Sequence, residues 1–215
     1  PKVSYTHYHP ADSTKWDAEV EVNQRIPSFP MYVRYAWNEQ NHIRLSGILR
    51  PITYDDHIAE KTSYVLSWGL KLSSKLTAGK FDFFALAQGG CGIANLFTAT
   101  NGAGMDLLPS DKAEALGVLK PTYSIGALGA VQYNFSPKVF ASATASVIRN
   151  FATEYTTPAE RKYKDLTKLG LTVNVNAVWH ISELFSTGIE GSYALRKAFG
   201  ESSEYNNLHN NRICG

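Results

Sequence analysis

The sequence lacks most features that would assign it to a familiar class of protein. Its only cysteines, Cys91 and Cys214, have no CxxC or Cys/His spacing, so neither a zinc site nor a disulfide framework is indicated. The net charge of +2 comes with no block of Lys or Arg that could follow a phosphate backbone, which excludes a nucleic-acid partner. No apolar run approaches the roughly 20 residues of a transmembrane helix. Since no signal peptide is visible, the chain is either cytosolic or begins after its targeting segment.

Catalytic and metal-binding patterns are absent too. Neither GxSxG nor HExxH occurs. His7 and His9 share a strand face but have no third ligand nearby, and the YDDH stretch at 54–57 is interpreted as a solvated external loop. The remaining acidic and histidine candidates have spacings that specify no site: Asp55, Asp56, His57, Glu154 and Glu160. We therefore predict no enzymatic activity, no cofactor and no metal site.

What the sequence does contain is long alternation of apolar and polar residues, which is the signal of a β-strand. From 169 to 179 every odd position is apolar, and the even positions from 168 to 176 are polar or small. Similar stretches occur at 30–37, 42–50, 62–76, 80–88, 121–135, 139–150 and 184–196. Most are longer than the 5 or 6 residues of an average soluble strand, and they approach the roughly 9–11 residues that cross a bilayer. The facing of 80–88 stays open because Phe83 and Phe84 are adjacent.

The connections between these stretches alternate in length. Short links lie at 38–41, 78–80, 136–138 and 180–183, and long links lie at 10–29, 51–61, 90–120, 151–165 and 197–209. Aromatic residues stand near both kinds of link, namely Trp37, Tyr133, Phe135 and Trp179 at short turns and Tyr64 and Tyr123 at long loops. This pattern predicts an all-β, transmembrane, antiparallel up-and-down β-barrel of the outer-membrane type, as a single domain over 1–215. The alternative is a soluble β-sandwich that acts as a binding module.

Three stretches, 25–56, 63–96 and 177–199 with NNRICG at the end, resemble the C-terminal half of DcaP-like outer-membrane porins. Gly188, Glu190 and Arg196 fit the last hairpin of that family, with Ala194 where a glycine is usual. The resemblance implies a fragment, incomplete at both ends, of a barrel of roughly 16 strands, with about eight complete and two partial strands here. It also implies a homotrimer that takes up dicarboxylate-like anions. The runner-up is a self-contained barrel of about 8–10 strands that serves as an adhesin, an anchor or an enzyme.

If the apolar positions face lipid, the alternate positions face the lumen and are predicted to line a pore. The predicted pore-lining residues are Arg34, Arg44, Arg50, Lys71, Lys75, Lys168, Glu190 and Arg196. Such a basic lining favours passive diffusion of small hydrophilic, preferentially anionic solutes through the bacterial outer membrane, with outer-membrane lipid and lipopolysaccharide as neighbours. Alternatively, some of these cations form a structural ladder with Glu190 and Asp82. The 90–120 loop, with a helical turn expected at Ser110 or Asp111, either folds inward or caps the pore outside.

Overall fold

A computed structural model describes residues 2–8, 15–23, 25–56, 60–101, 105–109, 119–151, 166–200 and 208–214, and these residues are mostly in β-strands. The strands are β1 (Lys2–Tyr8), β2 (Lys15–Asn23), β3 (Phe29–Ala36), β4 (His42–Asp56), β5 (Lys61–Ala78), β6 (Phe81–Cys91), β7 (Leu107–Pro109), β8 (Leu119–Pro121), β9 (Tyr123–Ser136), β10 (Val139–Phe151), β11 (Thr167–His180), β12 (Ser186–Ala198) and β13 (Leu208–Cys214). No helix in these ranges is long and apolar enough to cross a membrane.

Eleven of the strands form one antiparallel sheet, in the order β1-β2-β4-β5-β6-β9-β10-β11-β12-β13 with β3 also paired to β4. β2 pairs with Thr53–Asp56 and β3 pairs with His42–Leu49, so that β2 and β3 together occupy one position in the sheet. β7 and β8 form a separate hairpin. The up-and-down order confirms the predicted topology. A sandwich would require a second sheet packed against the first, and the described strands form no such layer.

Two of the predicted long links are wrong in their bounds. The 51–61 segment was expected to be a loop, but β4 continues to Asp56 and β5 begins at Lys61, because the pairing persists as far as Asp56 opposite Lys61. Tyr54 of the YDDH stretch is therefore a buried strand residue. The expected 10–29 loop contains β2. The helical turn expected at Ser110 or Asp111 lies outside the described residues.

The strand register divides the side chains into two faces. On β11 the polar positions Thr172, Asn174 and Asn176 are half-buried, whereas Val173 and Val175 are exposed. Cross-strand partners share a face, so this division extends over the sheet. We call the side with the β11 amides the polar face and the other side the apolar face. The ambiguity at β6 is thereby resolved, since Phe83 pairs with Leu76 on the apolar face and Phe84 pairs with Lys75 on the polar face.

Aromatic rings border the apolar face at both ends. Near the short turns, the ring centroids of Phe81 and Tyr133 are 4.8 Å apart, and those of Tyr133 and Phe135 are also 4.8 Å apart. Near the long loops, Tyr123 is exposed on the same strand, β9. Ten residues separate Tyr123 from Tyr133, which corresponds to about 34 Å along the strand and about 24 Å across the bilayer at a tilt of roughly 45°. This height is that of the apolar band of an outer-membrane barrel.

Candidate functional site: the 92–122 loop on the polar face

The connection between β6 and β9, residues 92–122, begins with a turn that only glycine accommodates. Gly92 has a φ of +68°, and a Cβ at this position would lie 2.0 Å from Oγ of Ser67. The Gly92 amide donates a hydrogen bond of 2.8 Å to the carbonyl of Thr122 at the far end of the loop. Two 3₁₀ turns, Ala94–Leu96 and Thr98–Thr100, follow at once. The loop is thus closed at its base and turned toward the sheet.

The loop packs on the polar face of the sheet. Ile93 and Phe97 are buried and form a cluster with Ile148 of β10. Glycines on the wall permit the close approach, because a Cβ at Gly69 would lie 3.1 Å from Cδ1 of Ile93 and one at Gly126 would lie 2.6 Å from Cε1 of Phe97. The described part of the loop, residues 92–101, 105–109 and 119–122, thus lies against the polar face, as expected for inward folding, one of the two alternatives left by the sequence.

A polar anchor fixes the loop to β4. Arg50 forms an ion pair with Asp106 and donates a 3.2 Å hydrogen bond to Oδ1 of Asn95. The backbone N–H of Asn95 in turn donates a 2.8 Å hydrogen bond to Oδ1 of Asp106. The side chains of Arg50 and Asp106 are 20% and 14% exposed, so this pair is largely shielded from water. Arg50, predicted to line a pore, therefore holds the loop in place.

Further contacts hold the loop at its C-terminal end. The Leu119 amide donates a 3.2 Å hydrogen bond to the buried hydroxyl of Tyr54, and these two residues form a small apolar cluster. Thr122 adds two bonds within the loop, from its amide to the carbonyl of Asp106 at 3.1 Å and from its hydroxyl to the carbonyl of Met105. On the adjoining wall strands, Ser124 of β9 donates to Oδ1 of the buried Asn150 of β10 at 2.7 Å, and Asn150 donates to the carbonyl of Thr167 of β11 at 2.8 Å. Much of the buried part of the described chain therefore lies between the loop and the wall.

Three predicted basic residues come together beside the loop. Arg34 of β3 lies directly opposite Arg44 of β4, and Lys71 of β5 lies opposite Ser46, two residues further along β4. The guanidinium of Arg44 lies 4.0 Å from the ring centroid of Tyr32. None of the three cations has an acidic partner within the described ranges. Their positive charge is therefore uncompensated locally on the polar face.

The other predicted residues are more dispersed. Lys75 lies 3.9 Å from Asp82, which supports the ladder interpretation for that cation. Arg196 donates to Thr167 at 2.9 Å. Glu190 on β12 accepts a hydrogen bond from Ser192 at 3.2 Å. Lys168 is exposed at a β-bulge, where the register shifts between Thr167 and Leu169.

A cleft lies between the 3₁₀ turns and the strands β3, β4 and β5, and we call it the loop cleft. Its volume is about 550 Å³. On one side it presents Arg44, Ser46 and Lys71, with Gln88 of β6 beside them, and on the other side it presents Ile93 and Leu96 of the loop. A solute in the cleft would thus contact both cationic and apolar groups.

Sequence reasoning missed several of these residues. Tyr32 and Ser46 occupy alternate positions with Arg34 and Arg44 on the two strands joined by the short 38–41 turn. Hairpin register would have placed them together. Gln88 was missed because the facing of β6 was unresolved. The loop residues carried no usable signal, since neither alternation nor a motif marks them.

No protein-family model matches the sequence, and no curated protein matches it. Among solved structures, the crystal structure of the outer membrane channel DcaP of Acinetobacter baumannii superposes on this chain with a TM-score of 0.67. The alignment covers 99% of this chain and 60% of the channel, with 11% sequence identity. This chain has the fold of the DcaP channel. It spans 60% of the length of that channel.

The likeness to DcaP confirms two predictions made from the sequence. The chain is an antiparallel up-and-down sheet of the outer-membrane barrel type, and the resemblance to DcaP-like porins holds at the level of fold. DcaP is an outer membrane channel, so the fold is one that a channel uses. With 11% identity, the roles of individual residues are argued from the geometry of this chain alone.

Proposed function

We propose that this protein is part of an outer-membrane porin that passes small hydrophilic solutes by passive diffusion and prefers anions. The single observation that carries the proposal is the position of the loop. It packs on the same face of the sheet as the uncompensated cations Arg34, Arg44 and Lys71. In a closed barrel with its apolar face toward lipid, that polar face would be the wall of a water-filled lumen.

The electrostatic argument concerns charges without partners. Among the described residues of the polar face, Lys75 and Asp82 compensate each other, and Arg50 is paired with Asp106. Within the same described residues, Arg34, Arg44 and Lys71 remain without an acidic partner on β3, β4 and β5, and on β12 the carboxylate of Glu190 shares its strand and face with the cation Arg196. Uncompensated cations in a pore lower the barrier for anions and raise it for cations. The loop strengthens this effect because it narrows the lumen next to the same residues.

The surroundings follow from the same proposal. The apolar face with its two aromatic borders would contact outer-membrane lipid, and lipopolysaccharide would contact the long-loop end. By resemblance to DcaP-like porins, the complete protein would be a homotrimeric barrel of roughly 16 strands, with dicarboxylates among its anionic solutes. Diffusion through such a pore needs no cofactor. The fold and the channel neighbour favour this proposal over an adhesin, an anchor or an enzyme.

The test is reconstitution of the complete protein in planar bilayers under a KCl gradient. We expect the sign of the reversal potential to show that chloride permeates more readily than potassium. Replacement of Arg34, Arg44 and Lys71 together by Gln should move the reversal potential toward zero or beyond, since the local positive charge is lost. The matched control is Lys138→Gln, which removes one cation from the exposed 136–138 turn and should change nothing.

Two results would overturn the proposal. One is preference for potassium in the unmodified protein, and the other is absence of conductance. If the unmodified protein prefers chloride but the triple variant keeps the same reversal potential, the anion preference stands and its assignment to these three residues is wrong.

A further inference from the structure

The loop cleft contains buried donors without partners, which points to a ligand. Nε of Arg44 and Oγ of Ser46 are buried and have no hydrogen-bond partner within the described part of the chain. Buried polar atoms in folded proteins nearly always have a partner in protein, water or ligand. Both atoms belong to side chains that line the cleft. This side of the cleft is therefore rich in donors and favourable for an acceptor.

The geometry of Arg44 suits a carboxylate. Its guanidinium lies over the Tyr32 ring, with 4.0 Å to the centroid. Stacking occupies one face of the planar group and leaves the N–H donors on its edge available, and a carboxylate binds to such an edge with two parallel hydrogen bonds. Lys71 lies directly opposite Ser46 and adds a second positive charge, and Gln88, opposite Lys71, adds an amide.

The other side of the cleft has a different chemistry. Ile93 is buried, Leu96 is half exposed, and Ile48 of β4 lies beneath them. Arg44 and Lys71 are the only basic residues among the described lining of the cleft. When one carboxylate occupies the side with Arg44 and Lys71, a second carboxylate placed against Ile93 and Leu96 would lose water without gaining a cation, which is unfavourable.

From these contacts we infer that the loop cleft binds solutes with a single carboxylate attached to an apolar body, such as an aryl or branched alkyl group. The carboxylate contacts Arg44, Ser46 and Lys71, and the apolar body contacts Ile93 and Leu96. The inference rests on the proposed function, because it assumes that solutes reach the cleft through the lumen. A volume of about 550 Å³ is within the range of small-molecule sites, roughly 300–1,000 Å³. The cleft would thus retain such monocarboxylates longer than the dicarboxylates suggested by family resemblance.

The experiment measures how long a probe interrupts the ion current of single channels of the complete protein. The probes are 4-phenylbutyrate, a monocarboxylate with an aryl group, and glutarate, a dicarboxylate with the same three-methylene chain. We expect residence times about tenfold longer for phenylbutyrate, because its ring is buried against the apolar side of the cleft while its carboxylate binds the cationic side. Titration calorimetry of the detergent-solubilised protein gives a second measurement, of affinity, that needs no ion flow.

Three variants separate the two sides of the cleft. Arg44→Gln and Lys71→Gln should each shorten the residence of both probes by about tenfold, since a charge-assisted hydrogen bond is lost. Leu96→Ser should shorten the residence of phenylbutyrate by about fourfold, the effect of one or two lost methylene contacts, and leave glutarate unchanged. Lys138→Gln is the control and should match the unmodified protein.

The inference would be overturned if the residence time of glutarate equalled or exceeded that of phenylbutyrate. It would also be overturned if Leu96→Ser left the residence times of both probes as they are in the unmodified protein. Failure of the proposed function would look different, because it would appear in KCl alone as potassium preference or absent conductance before any probe is added. In that case the calorimetric ranking of the two probes still decides whether the cleft is a monocarboxylate site.

Discussion

Substitution of Gly126 by alanine should release the loop from the wall. A Cβ at this position would lie 2.6 Å from Cε1 of Phe97 and 3.0 Å from the carbonyl oxygen of Val147. Ordinary carbon contacts are about 3.5–4.0 Å, so the Phe97 ring must move by about 1 Å or leave its site. Phe97 is 7% exposed and packed against Ile93 and Ile148, which leaves it little room to adjust.

Overpacking of this kind costs about 1–3 kcal/mol. If the cost falls on the docked loop, the undocked population rises roughly 5- to 150-fold, since 1.4 kcal/mol is a factor of ten. In single-channel records we expect more frequent excursions to a higher conductance. The matched control is Gly129→Ala on the same strand, where a Cβ would meet nothing within 4 Å.

A second substitution tests the cause. Phe97→Leu in the Gly126→Ala background shortens the ring that meets the new methyl group, so it should return the excursions toward the unmodified level. If Gly126→Ala and Gly129→Ala give identical records, the loop does not sit against Gly126 in the membrane. That result would refute the reasoning for both the loop and the loop cleft.

Two further predictions concern the anchor and the faces of the sheet. Asp106→Ala leaves the shielded Arg50 without its carboxylate partner and should lower the free energy of unfolding by about 2–3 kcal/mol. Arg25→Gln removes an ion pair whose arginine is 55% exposed and should lower it by less than about 1 kcal/mol. Urea titration in lipid vesicles measures both values. In the same assay, Val173→Arg on the apolar face should lower the free energy of unfolding by about 2–4 kcal/mol, whereas Asn174→Arg on the polar face should leave it nearly unchanged. Equal losses of stability would contradict the assignment of the two faces.

The sequence predicted those parts of the fold that depend on local alternation. The apolar row from Leu169 to Trp179 follows β11, and the short turns place β3 against β4 and β9 against β10 as expected. Alternation predicts a strand because successive side chains point to opposite faces, and a turn of a few residues fixes the register. Both signals are contained in the segment itself.

The parts that the sequence did not predict depend on distant partners. Arg50 meets Asp106 across 56 residues, and no local pattern links them. Pairing of β6 with β9 spans the whole 92–122 loop, so turn geometry could not place these two strands together. The facing of Phe83 and Phe84 is instead set by β5, where Leu76 and Lys75 are their partners, and the adjacent rings alone left it open. The extension of β4 to Asp56 depended on its pairing with β5. Where tertiary packing sets a contact, the residue types alone are compatible with several partners, so the contact could not be predicted.

The uneven distribution of charge on the polar face has a consequence for the orientation of solutes. Arg34, Arg44 and Lys71 lie on β3, β4 and β5, whereas on β12, six strand spacings or roughly 29 Å along the wall from β4, the carboxylate of Glu190 is offset by Arg196 on the same strand and face. In the proposed lumen this arrangement creates an electric field across the pore, perpendicular to the direction of diffusion. A dipolar solute would turn its negative end toward β4 as it passes. The pore would then align molecules as well as admit them, and zwitterions of equal size but opposite polarity would travel along different walls.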